Sequence, residues 1–285
     1  MQTASTVPEL RAARANLPGP VGLVPTMGYL HEGHLSLVRA ARAECASVVV
    51  SIFVNPTQFG PGEDLDSYPR DLDRDLTLLE AECADLVWIP TQETMYPPGS
   101  QTWVTVDELT KPLEGAMRPG HFRGVTTVVA KLFNAVQPDK AYFGQKDAQQ
   151  AAVIRQMARD LHFPLEVVVC PIVREADGLA MSSRNAYLNP EGRQAATALS
   201  RALHAARAVY ASGERDAGRL RQIMNEVINA EPLACLEYVS CADPQSLQEI
   251  EGAIASHALL SMAVFIGETR LIDNILLEDG DEPCC

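Results

Sequence analysis

The sequence predicts an α/β protein: a doubly wound, Rossmann-like parallel sheet over residues 1–173, then a smaller α+β domain over 174–285. Three observations carry this prediction. Short apolar runs without alternation occur at 21–24, 47–54, 85–89, 140–143 and 165–170. A strand of a parallel sheet, covered on both faces, needs apolar residues at every position rather than every second one. Stretches of helical period separate these runs, so strand and helix alternate along the chain. Near Arg174 the pattern changes, and two helical stretches precede three strand-like ones.

The elements follow in order. A first helix is expected over 7–16. The run V-G-L-V gives a strand, the Pro/Gly segment 25–28 a turn, and the pattern from Glu32, which carries Leu35, Leu37, Val38 and Ala41 inward, a helix to 46. S-V-V-V-S-I-F-V is the next strand. It ends in N-P-T-Q-F-G-P-G, which Pro56, Pro61 and two glycines keep from being helical. A helix over 71–82 and a strand over 85–89 follow. Residues 90–119 are Pro-rich and irregular, with one short strand near 103–106. A helix over 121–135, a strand over 140–143, a helix over 147–160 and a strand over 165–170 complete the first domain. Helices over 190–211 and 216–229, then strands over 236–242, 258–266 and 270–276, form the second. Ligands of open α/β sheets bind beyond the carboxyl ends of the strands, and polar motifs stand at several such ends: 25–34, 55–60, 144–147 and 173 onward.

Composition narrows the function. The net charge of −14 argues against a nucleic-acid partner, which would need a basic face. No apolar run reaches the ~18–20 residues of a membrane span, and the N-terminus lacks the pattern of a secretory signal, so a cytoplasmic protein is expected. The four lysines fall between 111 and 146. Seven cysteines show no metal-ligand spacing. Cys45, Cys83 and Cys170 read as small core residues in a reducing compartment. Cys284 and Cys285 read as part of an exposed, disordered acidic tail.

Five motifs carry chemistry. In H-E-G-H, His31 and His34 are three apart and share a helix face, where both can donate to phosphate oxygens at the positive end of the helix. Gly33 between them leaves the backbone bare enough for a flat base to lie against it. Two satisfied surface histidines are the plain alternative. In G-L-A-M-S-S-R-N, Arg184 could bind phosphate bidentately beside the hydroxyls of Ser182 and Ser183, or the stretch could be a polar linker. In A-Y-F-G-Q-K-D-A-Q-Q, Lys146 offers a point charge where a strand becomes a helix. Asp147 either caps that helix or accepts a ribose hydroxyl, and Gln150 lies one turn on. In F-V-N-P-T-Q-F-G, the amides of Asn55 and Gln58 suit hydroxyl and carboxylate groups of a polar substrate, or serve the turn. In L-E-G-A-M-R-P-G-H-F-R-G-V, Arg118, His121 and Arg123 are anion ligands or pins for the Pro-rich segment. No G-x-S-x-G, G-x-G-x-x-G or P-loop pattern is present.

Taken in order, P-T-M-G-Y-L-H-E-G-H, F-V-N-P-T-Q-F-G, Y-P-R, E-G-x-x-R-P-G-H-F-R-G-V, F-G-Q-K-D and V-R-E-A-D-G-L-A-M-S-S-R-N-x-Y-L resemble the pantothenate synthetase (pantoate–β-alanine ligase) family of the H-x-G-H nucleotidyltransferase superfamily, densely over about 20–190. The resemblance implies a two-step reaction. Pantoate is adenylated by ATP with loss of pyrophosphate, and β-alanine then displaces AMP to give pantothenate. It implies that His31, His34, Lys146, Ser182, Ser183 and Arg184 hold the triphosphate and the transition state, and that Gln58 and Gln150 hold pantoate. Pro25 and Met27 would line the ATP site with Gly33, while Gly144, Asp147, Val173 and Met181 would contact adenosine. It implies Mg²⁺ bridging the phosphates with few protein ligands, a homodimer and a gate after Gly60. Closure of the second domain over the H-x-G-H helix is expected to complete the site. Asp71 departs from the family, where a neutral residue is expected. The runner-up reading is a nucleotidyltransferase that moves AMP onto a phosphorylated acceptor. A non-catalytic nucleotide-binding protein is the third.

Overall fold

The computed structural model describes residues 1–278. The acidic tail with Cys284 and Cys285 lies outside the described residues. The chain divides into two compact units: Met1–Gln145 with Gln149–Pro171, and Lys146–Ala148 with the chain from Ile172 onward.

The first unit holds strands β1 (Gln2–Ala4), β2 (Val21–Thr26), β3 (Ser47–Ile52), β4 (Leu86–Trp88), β5 (Lys140–Gly144) and β6 (Glu166–Cys170). They form one sheet in the order β1-β4-β3-β2-β5-β6, with every pairing parallel. Between them run helices α1 (Val7–Arg14), α2 (Glu32–Glu44), α3 (Leu72–Ala81), the short α4 (Gln92–Met95) and α5 (Glu114–Met117), then α6 (His121–Val136) and α7 (Ala148–Asp160). Strand alternation sorts side chains into two cores. Val21, Leu23 and Val49 pack with Leu10 of α1, Val129 and Phe133 of α6, and Ile154 and Met157 of α7. Val24, Val48 and Val50 pack with Leu37, Val38 and Ala41 of α2 and Leu79 of α3. All six residues of β3 are buried, which is why that run carries no polar alternation. The chain is therefore doubly wound, as expected, and the order reverses between β2 and β5.

Several local expectations are corrected. The N-terminal strand β1 was unforeseen. It is three residues long, only Ala4 is buried, and such a segment has no readable period. The strand expected at 103–106 does not form. There the Val104 N–H donates to Thr127 Oγ1 (3.0 Å) and the Val104 carbonyl accepts from Thr126 Oγ1 (2.7 Å), so side chains of α6 take the bonds that a neighbouring strand would have made. Cys83 is exposed rather than in the core. It turns the chain at φ 57° after α3, and Ala84 takes the buried position beside it. Asp71, the departure in Y-P-R-D, caps α3: its Oδ1 accepts from Arg74 N at 3.2 Å, a role a neutral apolar residue could not fill.

The second unit holds helices α8 (Pro190–Ala195), α9 (Thr197–Ala211) and α10 (Ala217–Asn229), then strands β7 (Ala234–Ala242), β8 (Ala258–Ile266) and β9 (Thr269–Leu277). The helix expected over 190–211 is broken at Ala196. The strands form an antiparallel sheet, β7-β8-β9. Leu199, Leu203, Leu220 and Met224 of the helices pack on Leu260, Met262 and Val264 of the central strand. Among the described residues no helix is long and apolar enough to cross a membrane.

One packing contact bears directly on the loop after β3. A Cβ at Gly124 of α6 would lie 2.3 Å from the Thr57 carbonyl oxygen. A mid-helix Gly→Ala change ordinarily stabilises by ~1 kcal/mol. Gly124→Ala is expected to destabilise by about 1–3 kcal/mol instead, the range for overpacking, as measured by urea unfolding. A more stable variant would show that α6 and this loop are not in contact.

Candidate active site

The geometry of the H-x-G-H stretch is set by a buried carboxylate. The chain leaves β2 at Thr26 and must turn before α2 begins. It does so through two consecutive residues with positive φ, Gly28 (82°) and Tyr29 (52°). The Gly28 amide donates to Thr26 Oγ1 at 3.2 Å, and those of Tyr29 and Leu30 would be orphaned without a partner. Asp75 of α3, 1% exposed, supplies it: Oδ2 accepts from Tyr29 N and Oδ1 from Leu30 N, both at 2.7 Å. Desolvation pushes the Asp75 pKa up, against the two backbone bonds that pull it down. A Cβ at Gly28 would come within 3.1 Å of both Asp75 Oδ2 and Ile52 Cγ2, so the turn has no room for a side chain.

His31 is the N-cap of α2 and His34 its third residue, with ring centroids 4.0 Å apart and planes tilted by 39°. The His31 N–H donates to His34 Nδ1 at 3.3 Å. That bond makes Nδ1 the acceptor, so neutral His34 carries its proton on Nε2. The histidine is thereby fixed as a donor facing away from its own backbone.

The loop after β3 shows what its two amides do. Asn55 is buried and committed. Its Oδ1 accepts from Thr57 Oγ1 and Tyr96 OH, each at 2.9 Å, while Nδ2 donates to Gln58 Oε1 (3.0 Å) and the Gly124 carbonyl (3.2 Å). Asn55 is thus turn chemistry. It also orients Gln58: with Oε1 occupied, the Gln58 NH₂ points to Met27 Sδ at 3.2 Å, a weak acceptor that a carboxylate or hydroxyl would outcompete. Gln58 and Met27 are brought together, from the loops after adjacent strands β3 and β2.

Arg118, His121 and Arg123 act as pins. Arg118 pairs with Glu63 at 2.6 Å, and Arg123 stacks on Trp103 with its guanidinium carbon 4.7 Å from the ring centre. His121 Nδ1 lies 2.8 Å from the Gln58 carbonyl and Nε2 lies 3.2 Å from Arg118 Nη1. A carbonyl can only accept and a guanidinium only donate, so His121 is the neutral Nδ1–H tautomer. Burial, then Arg118, pushes its pKa down to about 4. Gln149 likewise holds the Pro-rich segment, accepting from Glu114 N (2.9 Å) and donating to the carbonyls of Leu109 (2.9 Å) and Pro112 (2.8 Å). Gln150 beside it is half-buried at the start of α7. Gly144 ends β5, the neighbour of β2 at the reversal point, and a Cβ there would meet nothing within 4 Å.

In the second unit, Lys146 Nζ lies 3.9 Å from Asp147 Oδ1, in a short 3-10 turn that precedes α7. Val173 and Met181 are joined by the Met181 N–H to Val173 carbonyl bond at 3.0 Å, the base of a tight hairpin that leads into Ser182. Ser182 caps the 3-10 turn Ser183–Tyr187, its Oγ accepting from Arg184 N at 3.3 Å. Ser183 is buried and Arg184 half-buried. Glu175 holds Asn185 (3.0 Å) and Arg193 (2.7 Å), which fastens the hairpin to the segment it precedes.

Asp75 and Tyr96 do not stand out in the sequence. In D-L-D-R-D-L, residues 71–76, three acids look alike. The one signal was the i, i+4 spacing of Asp75 to the apolar Leu79, which puts that acid on the inward face.

Known proteins match the chain along nearly its whole length. The family model described as pantoate-beta-alanine ligase matches residues 2–276. The chain is 63% identical over 278 residues to the pantothenate synthetase of Roseiflexus sp. (strain RS-1), covering 98% of this chain and 100% of that protein. It is 61% identical to that of Herpetosiphon aurantiacus, covering 97% and 100%. A pantothenate synthetase structure from Thermus thermophilus superposes with a TM-score of 0.92 at 52% identity, over 96% of this chain and 99% of that one. The pantoate-beta-alanine ligase of Francisella tularensis, solved with beta-gamma ATP and beta-alanine, gives 0.79 at 33% identity, over 97% of each.

A pH dependence follows from His121. Its folded-state pKa of about 4 lies below the ordinary 6.5. The unfolded chain therefore binds a proton first, and stability present above pH ~6.5 is lost as pH falls toward 4. The loss attributable to this group is on the order of 2–3 kcal/mol. Urea unfolding of wild type and His121→Asn across this range is expected to give curves that converge as pH falls. Parallel curves would mean that His121 titrates normally.

Proposed function

This chain belongs to the pantoate–β-alanine ligase family, and from that premise we propose that it joins pantoate to β-alanine with ATP, through a pantoyl adenylate, releasing AMP and pyrophosphate. The observation that carries the reading is the convergence of three loops on neighbouring strands. The loop after β3 presents the Gln58 amide, the loop after β2 presents the H-x-G-H donors, and β5 ends at the bare Gly144 beside the reversal of strand order. A carboxylate acceptor beside a phosphate site is what adenylation of an acid needs.

In the first step a pantoate carboxylate oxygen attacks the α-phosphorus of ATP. One P–O bond forms and the bond to pyrophosphate breaks. Gln58, oriented by Asn55, and Gln150 hold pantoate. His34 Nε2–H, with His31, donates to phosphate oxygens at the N-terminus of α2, where the helix favours negative charge. Lys146, Ser182, Ser183 and Arg184 supply the remaining donors, and such preorganised groups stabilise the charge that grows on the leaving pyrophosphate. Pro25, Met27 and Gly33 border the nucleotide, and Gly144, Asp147, Val173 and Met181 contact adenosine. In the second step the free amine of β-alanine attacks the acyl carbon. A C–N bond forms, AMP departs with the bridging oxygen, and the ammonium proton is lost.

Mg²⁺ belongs to this reading as the partner of the phosphates. Among the described residues no group of three or more His, Cys, Asp or Glu could hold a metal ion. An ion that keeps water and phosphate oxygens in most of its positions needs no such group, and it supplies charge neutralisation on the triphosphate. A homodimer working in the cytoplasm completes the proposal.

The product identifies the reaction. With ATP, Mg²⁺, pantoate and β-alanine, the protein is expected to form AMP and pyrophosphate in amounts that depend on both organic substrates. ADP as the nucleotide product, or AMP formation indifferent to β-alanine, would contradict the proposal.

A further inference from the structure

β9 carries two adjacent buried polar residues, Asp273 and Asn274, 2% and 3% exposed, to which the mechanism above gives no part. Successive residues of a strand point to opposite faces, so the pair can reach two different partners. Asp273 forms a bidentate pair with Arg174, Oδ2 to Nη1 at 2.7 Å and Oδ1 to Nη2 at 2.9 Å. Arg174 in turn donates from Nη1 to the Gly178 carbonyl at 3.0 Å. The hairpin that delivers Ser182, Ser183 and Arg184 is therefore anchored on β9. Asn274 reaches elsewhere: its Nδ2 donates to the main-chain carbonyl of Lys146 at 2.8 Å.

That second bond has a consequence for the chain path. Residues Lys146–Ala148 pack with the second unit although Gln145 before them and Gln149 after them pack with the first. Three residues are too few to form a core of their own. A buried amide aimed at the lysine's own carbonyl holds them where they are.

We propose that Asn274 is a positioning residue for adenylation: it ties Lys146 to the strand that also anchors the 182–184 loop. The lysine and the loop then keep a fixed spacing because both are fastened to neighbouring residues of β9. The inference rests on the function proposed above, in which both groups bind the triphosphate. A displacement of about 1 Å at such a group costs on the order of 100-fold in rate. A merely structural asparagine would instead lower the amount of folded enzyme, and every activity with it.

A double-mutant cycle on the full chain separates the two. Pantoate-dependent ATP–pyrophosphate exchange reads the first step. Release of AMP from supplied pantoyl adenylate by β-alanine reads the second. Asn274→Ala is expected to slow exchange by about 10–100-fold and to change the second step by less than about 3-fold. In a Lys146→Ala background the same substitution is expected to cost nothing further, because residues that act as a unit are non-additive. Asn274→Ser, smaller and still polar, replaces the alanine variant if that one does not fold, with the same criteria. Multiplying losses, or equal losses in both steps, would overturn the coupling. Failure of the wild type to form AMP would overturn the function instead. The cycle is then read in the equilibrium affinity for ATP alone, where independent effects of the two substitutions would again overturn the coupling.

Discussion

The structure depends most on one buried acid. Asp75 accepts from the two amides that the turn between β2 and α2 would otherwise leave without partners. That turn contains two successive residues with positive φ, one of them Tyr29, whose side chain makes such a conformation costly. Two short bonds from a carboxylate hold it there. The position of the α2 N-terminus follows, and with it the spacing of His31 and His34. Burial drives the pKa of the acid upward, and its two backbone donors pull against that shift.

The same principle recurs with different atoms. Asn55 saturates its hydrogen bonds in order to aim the amide of Gln58. His121, held as one tautomer between a carbonyl and a guanidinium, fixes the main chain at Gln58 from behind. Asn274 does so at Lys146. In each case a polar side chain behind a loop fixes a neighbour that is proposed to meet substrate. Reactions of acyl adenylates need oriented donors more than proton transfer, and here the orienting is done by amides and a carboxylate behind the loops.

What was legible in the sequence divides along the same line. The parallel sheet could be read because β3 and its neighbours are buried on both faces and so show continuous apolar runs. The H-x-G-H and F-G-Q-K-D motifs stand out as candidates in the sequence because each lies where an apolar strand run hands over to a helix. The supporting residues could not. Asp71, Asp73 and Asp75 follow one another at the start of one helix, and only the fold shows that Asp71 caps it while Asp75 is buried. Asn55 and Gln58 differ by three positions and are both amides, yet one is consumed by the turn. Arg118, His121 and Arg123 had the composition of an anion site, and their partners proved to be Glu63, a carbonyl and an indole. Hydrogen-bond partners distant in sequence decide these roles, and a single sequence does not contain them. The edge strand β1 and the side-chain-paired segment near Val104 escaped for a simpler reason: neither has a period.

The central claim, that a carboxylate attacks phosphorus and that the bridging oxygen then leaves with AMP, is tested most directly by isotope transfer. Pantoate labelled with ¹⁸O in its carboxylate, turned over with ATP and β-alanine, is predicted to place one labelled oxygen in the phosphate of AMP, read by mass spectrometry. Unlabelled AMP, with the label kept in pantothenate or lost to a different phosphate, would contradict the account.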